Sequence, residues 1–301
     1  MCYKILCIGE ILFDIYPDTR HLGGAPFNFS YHMHQLRNEV AFVSRIGDDE
    51  NGKEILRILK ECDYPIGFIQ IDKDHPTGNV MVELDAKAVP TFTITPNVAY
   101  DFIEYDDGVQ KLLDNVDLFY FGTLALRCPV SQKTIQNILN NRLPTTKVFY
   151  DINLRQNFYT ETILRESLQQ SDIVKLNNNE FKFLKELLNL SHSEVEAANS
   201  ILQEFELSVL CITKGEKGNV LYTEDEKLDL KLSAACQKNS VDTVGAGDAF
   251  AAILAFGLLK KWDFSTILKR ANDFAADICG ISGAIPADSE FYQKYKNEWN
   301  L

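Results

Sequence analysis

The 301-residue sequence predicts an α/β fold: three α/β/α layers around a mostly parallel central sheet, with a small separate β-sheet beside them. Three observations predict it. From Asp117 onward, apolar strand-like runs alternate with helix-length segments, the spacing of right-handed βαβ crossovers. Between Tyr64 and Tyr100 that alternation stops, and short strand patterns follow one another with no helix-length run. Late in the chain, Gly245-Ala246-Gly247 leads into a uniformly apolar stretch ending at Leu259, which reads as a buried helix.

The elements follow in order. Lys4–Glu10 is a short apolar run closed by Gly9, a buried parallel strand. Gly23-Gly24-Ala25-Pro26 permits unusual backbone angles and then suits a helix start. Val40–Gly47 reads as a strand and Glu50–Cys62 as an amphipathic helix. Ile66–Ile71, Val80–Leu84 and Thr91–Thr95 are short strands separated by Asp-, Lys- and Pro-containing turns. Then come strands at Asp117–Phe121, Lys147–Tyr150, Ile173–Leu176 and Ser208–Thr213, with helices at Ser131–Asn141, Glu161–Gln170, Asn178–Leu188 and Ser193–Phe205 between them. A hairpin, Asn219–Tyr222 with Lys227–Leu232, leads to the glycine loop. Two helical segments, Phe264–Gly280 and the polar Asp288–Glu298, close the chain.

Composition narrows the function. A hydrophobic fraction of 46% is ample for a core. A net charge of −13 argues against nucleic acid or an anionic membrane as the main partner. The seven cysteines include no Cys-x-x-Cys pair, which points to reduced thiols in a cytoplasmic protein. His32 and His34 have no accompanying ligand cluster for zinc. No apolar run reaches membrane-spanning length, and Lys4, Glu10 and Asp14 interrupt any signal-peptide pattern.

The chemistry concentrates in Ser240–Phe250. A glycine turn feeding a helix leaves unpaired backbone N–H groups at the positive end of the helix dipole, which suits a phosphate. Asp248 stands in the first turn of that helix, within reach of whatever those amides hold. An anion cradle beside a candidate general base suits phosphoryl transfer to an alcohol. The same four residues also fit an ordinary tight turn with an N-terminal Asp. No Walker pattern occurs, and Phe250 occupies the third glycine position of a dinucleotide fingerprint.

Asp242-Thr243-Val244-Gly245-Ala246-Gly247-Asp248 resembles the C-terminal signature of the ribokinase-like (PfkB) carbohydrate kinases, and Gly23-Gly24-Ala25-Pro26-Phe27-Asn28 resembles their N-terminal signature in its fructokinase-like form. The resemblance covers essentially the whole chain. It implies a ribokinase-like fold in which residues 11–23 and 66–101 form a β-sheet lid and 1–10, 24–65 and 102–301 form the kinase core. It implies that Asp248 deprotonates the sugar hydroxyl while the amides of Gly245, Ala246 and Gly247 hold the transferred phosphate. Asp14, Gly23, Gly24 and Asn28 would form the sugar site.

Asp151-Ile152-Asn153-Leu154-Arg155 resembles the family's Asp-x-Asn-x-Arg motif, with Arg155 on the sugar or its phosphate, although a structural Arg–Asp pair fits the same residues. Asn177 and Glu180 reproduce Asn-x-x-Glu, implying Mg²⁺ held partly through water. A helix-capping box fits the same residues, and both readings can hold together. Thr213, Gly215 and Gly218 resemble the turn near the ATP phosphates, and Asn272 and Ser282-Gly283-Ala284 the adenine region. The implied reaction moves the γ-phosphoryl group of MgATP to a sugar hydroxyl, with fructose to fructose 6-phosphate leading. Ribose, 2-keto-3-deoxygluconate and a nucleoside are rival substrates. A non-catalytic sugar sensor and a dinucleotide-dependent oxidoreductase are rivals of other classes. The resemblance also implies a monovalent cation such as K⁺ and a homodimer joined through the lid.

Overall fold

The computed structural model describes residues 2–84, 90–231, 243–286, 288 and 290–301. Thirteen strands and ten α-helices are found among them. Nine strands form the large sheet. They are β1 (Lys4–Ile8), β4 (Glu39–Gly47), β5 (Ile69–Asp72), β8 (Leu118–Gly122), β9 (Lys147–Asp151), β10 (Ile173–Asn177), β11 (Val209–Thr213), β12 (Asn219–Tyr222) and β13 (Lys227–Leu230). Their order is β13-β12-β11-β10-β9-β8-β1-β4-β5. Every pairing from β11 to β5 is parallel, and only the β11–β12–β13 hairpin edge is antiparallel.

The helices are α1 (Ala25–Gln35), α2 (Glu50–Glu61), α3 (Asp107–Leu112), α4 (Pro129–Asn141), α5 (Glu161–Gln169), α6 (Asn178–Leu187), α7 (Glu194–Glu204), α8 (Ala246–Leu259), α9 (Phe264–Ile278) and α10 (Glu290–Glu298). Alternate residues of each strand feed opposite cores. Ile5 and Cys7 join Phe27, Phe29 and the apolar face of α8, while Leu6 and Ile8 join residues of α4, α5, α6 and α7. Burial on both faces is why the strands read as continuous apolar runs. α8 is buried almost all round, packed between α1 and α9, which explains its uniform hydrophobicity. Local chemistry sets the helix starts: Asp49, Thr160, Ser193 and Asp263 each accept a first-turn N–H.

The small sheet has four strands, β2 (Leu12–Ile15), β3 (Arg20–Gly23), β6 (Gly78–Leu84) and β7 (Pro90–Ile94), in the order β3-β2-β6-β7. This corrects the expected boundary. The Ile66–Ile71 run belongs to the large sheet, because Ile69–Asp72 pairs in parallel with Ser44–Gly47 of β4. Short apolar alternation serves either sheet, so the sequence does not separate them. Val80, Val82 and Ile94 are buried in the core on the side of Leu6 and Ile8, so the apolar strip of the small sheet is largely covered within the chain. The six cysteines among the described residues are free thiols, Cys236 lying outside them. Among the described residues no helix is long and apolar enough to cross a membrane.

Candidate active site

The head of α8 carries the glycine loop. Gly245 is the N-cap, with φ at 77° in the left-handed region, and a Cβ there would fall 2.4 Å from Ala284 Cβ. Glycine is required on both counts. Gly247 is exposed and Gly245 and Ala246 are half-buried, so the loop opens outward. The first-turn amides of Gly247 and Asp248 have no intrahelical acceptor, and the helix dipole adds positive potential. Asp242, which opens the motif, lies outside the described residues.

Asp248 is buried behind this opening and accepts a 2.7 Å hydrogen bond at Oδ2 from Asn28 Nδ2, in the first turns of α1. Burial raises its carboxyl above the usual carboxylate range, while the Asn28 bond and the charges of Lys175 and Arg155 oppose that rise. Lys175 lies beneath the loop, 3.3 Å from where a Cβ on Gly247 would stand. Its Nζ is 3.1 Å from each oxygen of Asp151, itself fully buried and also bonded by the Tyr120 hydroxyl. Burial pushes Asp151 up to about 6 against the pull of Lys175.

Arg155 is exposed, yet its charge reaches both Asp248 and Glu10. Asn153 adopts φ 38°, in the left-handed region that Asn tolerates, and so turns the loop after β9. On the opposite side, Gly23 and Gly24 both face close approaches, and Gly24, at φ 113° against backbone, must be glycine. A Cβ on Gly23 would come 2.9 Å from Asp14 Oδ2, and one on Gly24 would come 2.4 Å from the Glu10 carbonyl oxygen. Asp14 thus enters from β2 of the small sheet against the start of α1. Glu10 is buried beside them, and burial pushes its carboxyl up to about 7.

The residues expected to face the nucleotide lie at the ends of β10 and β11, just before β12, and on α9. Thr213 closes β11, and Gly215 and Gly218 take positive φ in the turn that follows. The Asn272 amide is engaged within the chain: Oδ1 accepts from Asn219 at 2.6 Å and Nδ2 donates to the Leu268 carbonyl. The Ser282–Ala284 turn lies against Gly245 and against His21 of β3. Asn177 and Glu180 form a capping box at α6. Both Glu180 oxygens are occupied, one by the Leu154 amide at 2.9 Å and one by the Asn177 amide at 2.6 Å. Glu180 therefore fixes the backbone just before Arg155. Among the described residues no cluster of three or more His, Cys, Asp or Glu could cage a metal. That donor set fits Mg²⁺ only as an ion held mainly by nucleotide phosphates and water.

The model of the pfkB family carbohydrate kinases matches residues 4–290. The chain belongs to the pfkB family. This pfkB kinase is 30% identical over 292 residues to an uncharacterized sugar kinase of Pyrococcus horikoshii, covering 90% of this chain and 88% of that one. The structure of that Pyrococcus kinase in complex with ATP superposes with a TM-score of 0.80 at 27% identity, covering 93% of each chain. A fructokinase of Escherichia coli is 28% identical over 270 residues, covering 86% and 85%. A Vibrio cholerae fructokinase solved with fructose, ADP and potassium has a TM-score of 0.79 at 22% identity, covering 97% of each chain, and so shares the ribokinase-like fold. Relatives of this pfkB kinase thus bind ATP.

Two residues of the site had no role assigned from sequence. Lys175 left a signal, since a lysine inside an otherwise apolar strand run is seldom buried unless paired. Glu10 left none beyond its place after Gly9, because its burial depends on α1 folding back over the end of β1.

Proposed function

We propose that this pfkB kinase transfers the γ-phosphoryl group of ATP to a hydroxyl of fructose, giving fructose 6-phosphate. Asp248 takes the hydroxyl proton, the sugar oxygen forms the new bond to phosphorus, the bridge to the β-phosphate breaks, and ADP leaves. The observation that carries this is the burial of Asp248, bonded to Asn28, directly behind the outward-facing amides of Gly245–Gly247. A base whose pKa is raised toward the working pH takes a proton more effectively. In this reading Asp14, Gly23, Gly24 and Asn28 hold the sugar, and Arg155 and the loop amides stabilise charge on the transferred group. Thr213, Gly215 and Gly218 border the ATP phosphates, and Asn177 and Asn272 shape the nucleotide side.

Glu180 and Asn177 would be the residues that hold Mg²⁺ through water, and the ion would offset phosphate charge on ATP. A K⁺ ion near the glycine loop is what the family resemblance implies. The free thiols support a cytoplasmic setting. Exposed Met81 and Phe92 on the small sheet support a homodimer joined there.

The test is ADP release, coupled to a reporter, across fructose, ribose, 2-keto-3-deoxygluconate and a nucleoside. Highest kcat/KM on fructose is expected. Turnover of another sugar with fructose inert would overturn the substrate. A folded protein that turns over none of them would overturn the kinase reading in favour of a sensor.

A further inference from the structure

Lys175 has no part in the reaction as described above, yet it is the only buried lysine among the described residues. The sheet register explains its place. Phe149 and Ile173 pack into the core on the α8 side, and two residues further along each strand Asp151 and Lys175 face the same way. These two are direct partners across the parallel β9–β10 pair, and Cys211 of β11 flanks Lys175 on its other side. The ammonium therefore meets the head of α8 from below, with Nζ 3.3 Å from where a Cβ on Gly247 would stand.

The surroundings hold Lys175 in place and charged. Nζ lies 3.1 Å from each oxygen of Asp151, and the Tyr120 hydroxyl donates to Asp151 Oδ2 at 3.2 Å. Burial works against the ammonium, but the carboxylates of Asp151, Glu180 and Asp248 outweigh it and hold its pKa above the usual lysine value. A buried ion pair is a poor device for stability alone, because desolvation offsets its attraction and apolar residues of similar volume often serve as well. Its position under an anion-binding loop gives it another use. The cradle offers only backbone N–H groups, and three acids surround the cation behind them.

We propose that Lys175 is a positioning residue for phosphoryl transfer: from beneath the Gly245–Gly247 loop its ammonium strengthens the positive potential of the amide cradle and keeps the first turn of α8 aligned on the transferred phosphate. It acts through the loop, and Asp151 and Tyr120 fix where it stands. Charge on the phosphoryl oxygens is felt strongly across a dry interior, and a cation already in place needs no rearrangement during the reaction. The same charge works at the base. Burial raises the Asp248 carboxyl, and Lys175 joins the Asn28 bond and Arg155 in opposing that rise. The proposal rests on the phosphate-cradle reading of this loop.

Lys175→Gln keeps a donor for Asp151 and removes the charge. Its kcat should fall about 10- to 100-fold, somewhat less than the loss of a direct oxyanion donor. The KM for sugar and the Kd for ADP should each change less than about threefold, since the effect is on the transferred group. The double variant Lys175→Met with Asp151→Leu separates charge from packing. It should regain stability in urea, yet its kcat should stay at least about tenfold below wild type. A kcat that returns with the stability, or a folded variant of either kind keeping more than about a third of wild-type kcat, shows that Lys175 serves only the fold. A loss confined to the KM for sugar overturns the proposal as well. Each of these results leaves the kinase reading intact, whereas a wild type that phosphorylates no sugar overturns both.

Discussion

Asn28 Nδ2 and Asp248 Oδ2 stand 2.7 Å apart and join the first turns of two helices, α1 and α8, that pack against each other. The carboxylate thus lies near two positive helix ends, which favour its ionised form, while burial disfavours it. Replacing Asp248 by Asn keeps an oxygen for Asn28 and removes the basicity. Asp248→Asn should lower kcat by about 10²–10⁴-fold while ATP and sugar still bind, as calorimetry would read. A folded variant retaining more than about a tenth of wild-type kcat would show that another group takes the proton.

Lys175 and Asp151 form a buried pair directly under the loop. Removing one partner leaves the other as an uncompensated buried charge. Lys175→Met should cost about 3–5 kcal/mol in urea unfolding. The double variant Lys175→Met with Asp151→Leu should recover much of that loss, and equal losses in the single and double variants would contradict the pairing.

Stability should fall with rising pH over a defined window. Glu10 is raised to about 7 from 4.5 by burial, so the folded state holds its proton more tightly than the unfolded chain does. Its contribution is therefore present below about pH 4.5 and lost as pH rises through about 7, on the order of 3 kcal/mol. Asp151, raised to about 6, adds in the same sense. Glu10→Gln should flatten the difference between urea midpoints at pH 5 and pH 8. An unchanged slope in that variant would remove Glu10 from the account.

Met81 and Phe92 are exposed at 42% and 43% on the small sheet. Light scattering at micromolar concentration is expected to give a dimer, and Phe92→Ser to shift it toward monomer. A wild-type monomer under those conditions would rule out pairing through the lid.

The strand and helix order was legible because buried parallel strands and their crossovers leave strong apolar runs, as in Phe119–Phe121 and Val209–Ile212. The glycine loop was legible because backbone geometry there admits no other residue at 245. Less visible was which sheet a short strand joins: Ile69–Asp72 shows the same alternation whether it edges β4 or the small sheet. Contacts that form only when distant segments meet left little trace. Arg127 reaches Asp101 and Thr95 across a connection that includes α3, and neither spacing nor composition encodes that meeting. Glu180 carried two readings in the sequence, and its bonds to the Leu154 and Asn177 amides show that the capping box is formed.

The small sheet is knit from two separate excursions of the chain, since β2 pairs in parallel with β6 while β4, α2 and β5 intervene in sequence. That pairing must wait for the intervening strands to find the large sheet, because it closes a long loop with few local contacts to hold it. In refolding, amides of β2 and β6 should gain protection from hydrogen exchange later than those of β1 and β4. The pocket would then be the last part of the molecule to acquire its shape, after the framework that supports it.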